Sequence, residues 1–218
     1  MAGRMRRRDE QVSATREALL AAAERLFAEH GIHAVANRQI SEAAGQGNNA
    51  AVGYHFGTKA DLVRAIARKH SGQMELIRAG LIAEVGDSTD LRDWVSCLVR
   101  PVTGHLEELG SPTWYARFIA QTTADPALQE IVTEESLATS ASLGSLGESL
   151  HRCLPHLPPE VRAERGTMAR HLIAQVSADR ERALADGRPT TRRTWDDTAT
   201  SLIDAIVGLW QAPVTDER

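Results

Sequence analysis

Apolar positions recur along this chain at three- and four-residue intervals, the spacing that places side chains on one face of a helix. Leu19, Ala22, Ala23, Leu26 and Phe27 form such a stripe between Thr15 and His30, and Gly31 follows as the residue that closes the helix in a left-handed turn. Gln39 to Lys59 reads QISEAAGQGNNAAVGYHFGTK. Ile40, Ala43 and Ala44 predict a short helix, and Gly45 and Gly47 a tight turn. Val52 and Phe56 predict a second short helix, with Asn48 and Asn49 at its start to cap free amides. Thr58 with Asp61 three residues on is a capping box, opening a helix that carries Leu62, Ile66, Met74, Ile77 and Leu81 and ends at Gly86. Gly72 and Gly80 weaken that helix by about 1 kcal/mol each relative to alanine.

Further helices are predicted from Asp90 to Leu109, kinked or broken at Pro101, and from Pro112 to Thr123 with Ser111 as its cap. A short turn or helix from Asp125 to about Val132 follows, then a helix from Thr133 to Cys153, a loop at Leu154 to Glu160, and a helix from Pro159 to Asp186. The segment DGRPTTRR is a linker, and Thr194 to Gln211 closes the chain as a last helix. With no β alternation bounded by turn pairs, the fold class is all-α.

Two short helices joined by a glycine turn make a helix-turn-helix, whose second helix can enter the major groove of DNA. The charge distribution agrees. The net charge is −4 overall, but residues 1–70 hold 11 Lys and Arg against 7 Asp and Glu, leaving the acidic excess of 22 against 14 to the rest of the chain. Residues 1–12 (MAGRMRRRDEQV) lack periodicity and are expected to form a disordered basic arm whose Arg4, Arg6, Arg7 and Arg8 can lie along phosphates or in the minor groove. No run approaches 18 uncharged apolar residues, so no transmembrane helix is expected. Cys97 and Cys153 lie far apart without metal-ligand spacing, which points to a reduced, cytoplasmic protein without metal or other cofactor.

Tyr54, His55, Phe56 and Lys59, in that order at the end of the second short helix, make the region from Thr15 to Lys69 resemble the tetracycline-repressor (TetR) family of bacterial transcription regulators. The resemblance implies a three-helix helix-turn-helix head at residues 13–58 and a helical ligand-binding and dimerisation body at 59–218. It also implies a homodimeric regulator, repressing more often than activating, that reads a palindromic double-stranded DNA operator. Tyr54, His55 and Lys59 match positions that contact phosphates in the family, with Thr58 opening the helix beside them. Asn48, Asn49, Ala50 and Gly53 remain for base reading, since asparagine can bond adenine and Ala50 can touch a thymine methyl. Arg38 is a candidate for guanine or phosphate, and Asn37 for the cap before it. The turn is one residue longer than the commonest family pattern and Gly53 replaces a large side chain, so base contacts do not carry over from relatives position by position.

Family members typically hold a small-molecule pocket in the body. Here Trp94, Cys97, Leu98, Trp114, Phe118, Met168 and His171 are candidates for its wall, with Gln121 and Gln175 as placed polar groups for an apolar or aromatic effector. The last helix is apolar on two sides, with Trp195, Leu202, Ile206 and Leu209 on one and Ile203, Val207 and Trp210 on the other. The preceding helix adds Met168, Leu172, Val176 and Ala183. The resemblance implies a four-helix dimer interface from these two helices, with Leu172, Val176, Leu202, Ile206, Leu209 and Trp210 as its core. Two rival readings are a regulator with no small-molecule effector, controlled by a partner or constitutive, and an enzyme. The enzyme reading finds no Ser/His/Asp order, metal spacing or phosphate-cradling loop near His105, His151, His156, His171 or the cysteines.

Overall fold

The computed structural model describes residues 2–215, with side chains described from Glu10 onward. Among the described residues the chain forms helices only: α1 (Ala2–His30), α2 (Asn37–Ala43), α3 (Ala51–Phe56), α4 (Lys59–Val85), α5 (Leu91–Leu109), α6 (Tyr115–Thr123), α7 (Pro126–Thr139), α8 (Ala141–Cys153), α9 (Pro159–Ala185) and α10 (Trp195–Gln211). The all-α reading therefore holds.

α1 starts well ahead of its apolar stripe, and residues 2–12 continue the helix where an arm without regular structure was expected. A polar segment gives no periodicity, yet its Ala, Arg, Met and Gln are good helix formers. The side chains of Arg4, Arg6, Arg7 and Arg8 lie outside the described residues.

Local signals set several ends. Gly31 closes α1 at φ +85°, and Gly86 follows α4 at φ +59°. Thr58 and Thr194 cap α4 and α10, each in a capping box with the Asp three residues on. Other ends depend on distant residues. α6 begins at Tyr115 rather than Pro112, and the Glu181 carboxylate from α9 accepts the Ala116 and Arg117 amides of its first turn at 3.1 and 3.0 Å. The expected helix from Thr133 is divided at Ser140, so α7 runs on to Thr139 and α8 starts at Ala141. Glu75 of α4 holds this corner, accepting the Ser142 amide at 3.1 Å, the Ser142 hydroxyl at 2.6 Å and the Ser140 hydroxyl. Pro101 is tolerated inside α5, which runs through it unbroken.

Two apolar clusters form the interior. One contains Leu19, Phe27, Ile40, Val52, Leu62 and Ile66 from the first four helices, together with Leu106, Tyr115, Phe118, Leu128 and Trp195 from the body. The apolar interior therefore runs across the expected boundary at residues 58 and 59, with Phe27 stacked on Phe118 at 6.3 Å. His33 also bonds Asp125 at 2.7 Å, and Arg68 of α4 makes two bonds to Glu135 of α7, at 2.6 and 2.9 Å. The second cluster joins α5, α8, α9 and α10 through Leu91, Trp94, Val99, Leu146, Ile173 and Ile206.

Candidate nucleic-acid interface and body cavity

α2 and α3 are held by their inner faces. Ile40 and Val52 are fully buried, Phe56 packs against the same cluster, and the Arg16 guanidinium lies 4.8 Å over the Phe56 ring. Between the helices Gly45 takes φ +69° and donates to Glu42 O at 3.0 Å. The Asn48 side chain accepts the Ala50 amide at 2.9 Å, so Asn48 is a turn-former whose Oδ1 is already engaged. Residue Ala36, not Asn37, precedes α2 as its cap, and Gln39 Oε1 accepts the Ala36 amide at 2.7 Å.

With the inner face fixed, Asn48, Asn49, Ala50, Gly53 and Tyr54 are all exposed. Tyr54 is 80% exposed, unusual for an aromatic side chain, and His55 beside it is half-buried with its ring 5.0 Å away, edge to face. A Cβ on Gly53 would meet nothing within 4 Å. Arg38 is also exposed, in a surface ion pair with Glu42 at 2.7 Å.

Lys59 has a second role that its sequence position did not disclose. Its ammonium donates to Ile32 O at 3.0 Å and Val35 O at 2.7 Å, pinning the α1–α2 connection to the start of α4. Carbonyls past a helix end lack helical partners, and a lysine supplies donors to them.

Behind the head a buried polar chain crosses α1, α4 and α5. Glu24 Oε2 lies 3.0 Å from His70 Nε2, and His70 Nδ1 lies 2.7 Å from His105 Nε2. Because an ionised carboxylate only accepts, neutral rings require His70 Nε2–H to donate to Glu24 and His105 Nε2–H to donate to His70. His105 Nδ1 is left without a partner. Tyr115 stacks on His70 at 3.9 Å, and burial, with His70 adjacent, lowers the His105 pKa to about 4.

The body holds a cavity of about 510 Å³ between α4, α5, α6, α7, α8 and α9, with Trp210 of α10 on its wall. Of the residues expected there, Leu98 lines it. Trp94 and Cys97 are buried in the second cluster, and the Trp94 indole donates to Ser88 O at 2.8 Å. Phe118 is stacked between Phe27 and Tyr115, and Trp114 packs against the first cluster. Gln121 lies in a smaller cleft beside Gly31 and His33. Met168, His171 and Gln175 are exposed on α9 and do not line the cavity; Arg162, Gly166, Arg170, Ile173 and Ser177 line it, Arg170 being itself exposed. The mixed sequence of α9 marks no apolar stripe that would have told the two sides apart. Burial raises the Cys97 thiol to about 11, away from nucleophile chemistry.

The last two helices are divided likewise. Leu202, Ile206 and Trp210 are buried in the chain's own second cluster, while Leu172 and Leu209 are partly covered and Val176 is 37% exposed. Among the described residues no helix is long and apolar enough to cross a membrane.

Residues 19–66, which span the head and the start of α4, match the model of bacterial regulatory proteins of the tetR family. A HTH-type transcriptional repressor, AcnR of Corynebacterium glutamicum, is 33% identical over 87 residues; the match covers 38% of this chain and 46% of that protein, so the chain spans about half the length of this relative. A TetR-family regulator from Rhodococcus sp. has the same fold over 91% of this chain and 100% of its own, at TM-score 0.53 and 17% identity. One from Streptomyces coelicolor A3 aligns over 92% and 96% at TM-score 0.49 and 20% identity. The head of this all-α chain, residues 19–66, is therefore that of the bacterial regulatory proteins of the tetR family.

Proposed function

We propose that the protein is a homodimeric transcriptional repressor that binds a palindromic operator through α3 and is released by a small molecule held in the body cavity. The observation that carries this reading is the exposed face of α3. A short helix that buries Val52 and leaves Tyr54 80% exposed beside Asn48, Asn49, Ala50 and Gly53 has no internal use for that face. A major groove accepts such a helix. Asn49, Ala50 and Gly53 read base edges, Asn48 shapes the turn before them, and Tyr54, His55 and Arg38 meet phosphates. Thr58 and Lys59 hold the start of α4 in place, with the remaining Lys59 donor free for a phosphate.

Reading two half-sites requires two heads. The dimer face is formed by Met168, Leu172 and Val176 on α9 with Ala205, Gly208 and Leu209 on α10. Met168 and Val176 are exposed there although apolar, and the small Ala205 and Gly208 permit close approach of a partner helix. Leu202, Ile206 and Trp210 support this face from beneath. The cavity volume suits a small effector, and its walls reach α4, which carries the head. An effector that favours one setting of α4 over another lowers operator affinity by its differential affinity for the two.

The test is an anisotropy titration of the purified chain on DNA from upstream of its own gene, at several salt concentrations. A two-fold-symmetric site bound tightly by wild type and at least about tenfold more weakly by Tyr54→Ala supports the reading. Equal, weak binding to every sequence by both proteins refutes it.

A further inference from the structure

The charge on the cavity wall is one-signed. Arg78, Arg162 and Arg170 line it, and among its described lining residues there is no Asp or Glu. Arg78 is already balanced, with Glu75 at 3.4 Å and the Ser140 hydroxyl at 2.8 Å. Arg162 and Arg170 make no ion pair among the described residues. Arg162 has only a long contact to Leu154 O, 3.4 Å, and its Nε is buried without a partner. Arg170 is exposed and donates to Thr167 at 2.8 Å, and its Nη1 lies 3.8 Å from where a Cβ on Gly166 would stand. Gly166 is thus the bare turn of α9 between the two arginines, with one guanidinium folded back towards the other.

A second unused donor lies at this end. The Trp210 indole Nε1 has no partner, although Trp210 is only 5% exposed. Arg165 ties the end of α10 to this part of α9, donating to Trp210 O at 2.9 Å and Ala212 O at 2.8 Å. From Arg162 the wall continues along α9 to Ser177, a rise of about 22 Å for an α-helix. The intervening wall is mainly apolar, with Leu98, Val102, Ile119, Leu143 and Ile173.

Buried donors without acceptors, here Arg162 Nε and Trp210 Nε1, are costly, and a guanidinium is suited to a carboxylate. We propose that the cavity takes an amphipathic monoanion: a carboxylate bound by Arg162, Arg170 and the Trp210 indole N–H, with an unbranched apolar body lying along α9. This rests on the cavity being an effector site and names the class of effector.

The probes are decanoate, decan-1-ol and decylammonium, which share one chain and differ in head charge. Their affinities for the full chain are measured by calorimetry, below the micellar range and at a pH where the acid and the amine are both ionised. Decanoate should bind at least about tenfold tighter than the alcohol, and the ammonium weakest. In Arg162→Gln/Arg170→Gln the decanoate advantage should collapse while the alcohol affinity stays, and Trp210→Phe should reduce it in part. An unchanged melting temperature for the alcohol-bound variants shows that the fold is kept. Equal binding of all three probes, or a preference for the ammonium, overturns the carboxylate assignment and leaves the cavity as an effector site. No binding of any probe overturns both, while operator binding is judged separately by its own titration.

Discussion

Lys59 and Tyr54 flank the same short turn, but their side chains face different tasks. The Lys59 ammonium is engaged by Ile32 O and Val35 O, whereas the Tyr54 ring is in solvent. Replacing Lys59 by Met keeps the aliphatic stem and removes two charge-assisted hydrogen bonds, so it should cost about 1.5–3 kcal/mol of stability. Tyr54→Ala removes no buried contact and should shift stability by no more than about 0.5 kcal/mol. Chemical unfolding of both variants checks the contrast: Lys59→Met loses stability, Tyr54→Ala loses operator affinity alone. A stable Lys59→Met protein with weakened DNA binding would assign Lys59 to the phosphate contact only. His105 invites a different measurement. Its folded pKa of about 4 lies below the ordinary 6.5, so the unfolded state takes up the proton first as pH falls. Its contribution is complete above about 6.5 and is lost progressively towards 4. The groups facing it, His70, Glu24, Lys69 and Tyr115, remain in a His105→Gln variant. That variant should show a shallower fall in unfolding free energy between those two pH values than wild type, and parallel curves would refute the assignment.

At the scale of elements, what could be read from the chain depended on how local its cause is. The helix starts at Thr58 and Thr194 and the stop at Gly31 each follow from residues within one turn, and the structure has them where the sequence does. The starts of α6 and α8 depend on Glu181 and Glu75, each more than sixty residues away, and no local pattern announces such a bond. The exposed face of α3 was legible because Val52 and Phe56 fixed its inner side. The cavity wall was not, since a stripe such as Leu202, Ile206 and Trp210 records that a face is apolar without saying which neighbour covers it. α6 offers the sharpest test of a distant cap. Glu181 is 2% exposed and accepts two amides as well as Arg117 Nε at 3.0 Å, and Arg117 also donates to Thr113 O at 2.7 Å. Glu181→Ala should therefore leave a buried guanidinium unpaired and two amides free, destabilising by about 3–5 kcal/mol. Adding Arg117→Leu should recover much of that loss in a double-mutant cycle. Additive losses would mean the pair is not coupled.

In the proposed dimer two heads must be held at a fixed separation for a palindrome to be read, so at the scale of the molecule the proposed dimer face is the feature to test. Val176 and Gly208 provide a way to test it without disturbing the protomer. Val176 is 37% exposed on α9, and a Cβ added to Gly208 of α10 would meet nothing within 4 Å of the isolated chain. Gly208 lies within a helix and has no positive φ, so an added side chain there even gains about 0.5–1 kcal/mol in backbone entropy. Val176→Arg with Gly208→Arg should thus leave each protomer folded while placing like charges against their two-fold copies. Sedimentation should then give a monomer where the wild type gives a dimer, with the helical circular dichroism unchanged. Operator affinity should fall by far more than tenfold, because each half-site is then bound alone. A variant that still sediments as a dimer would show that the subunits meet elsewhere, and the exposed apolar residues of α9 would need another partner. A monomer that retains full affinity would instead mean that one head suffices, which would remove the need for a palindrome.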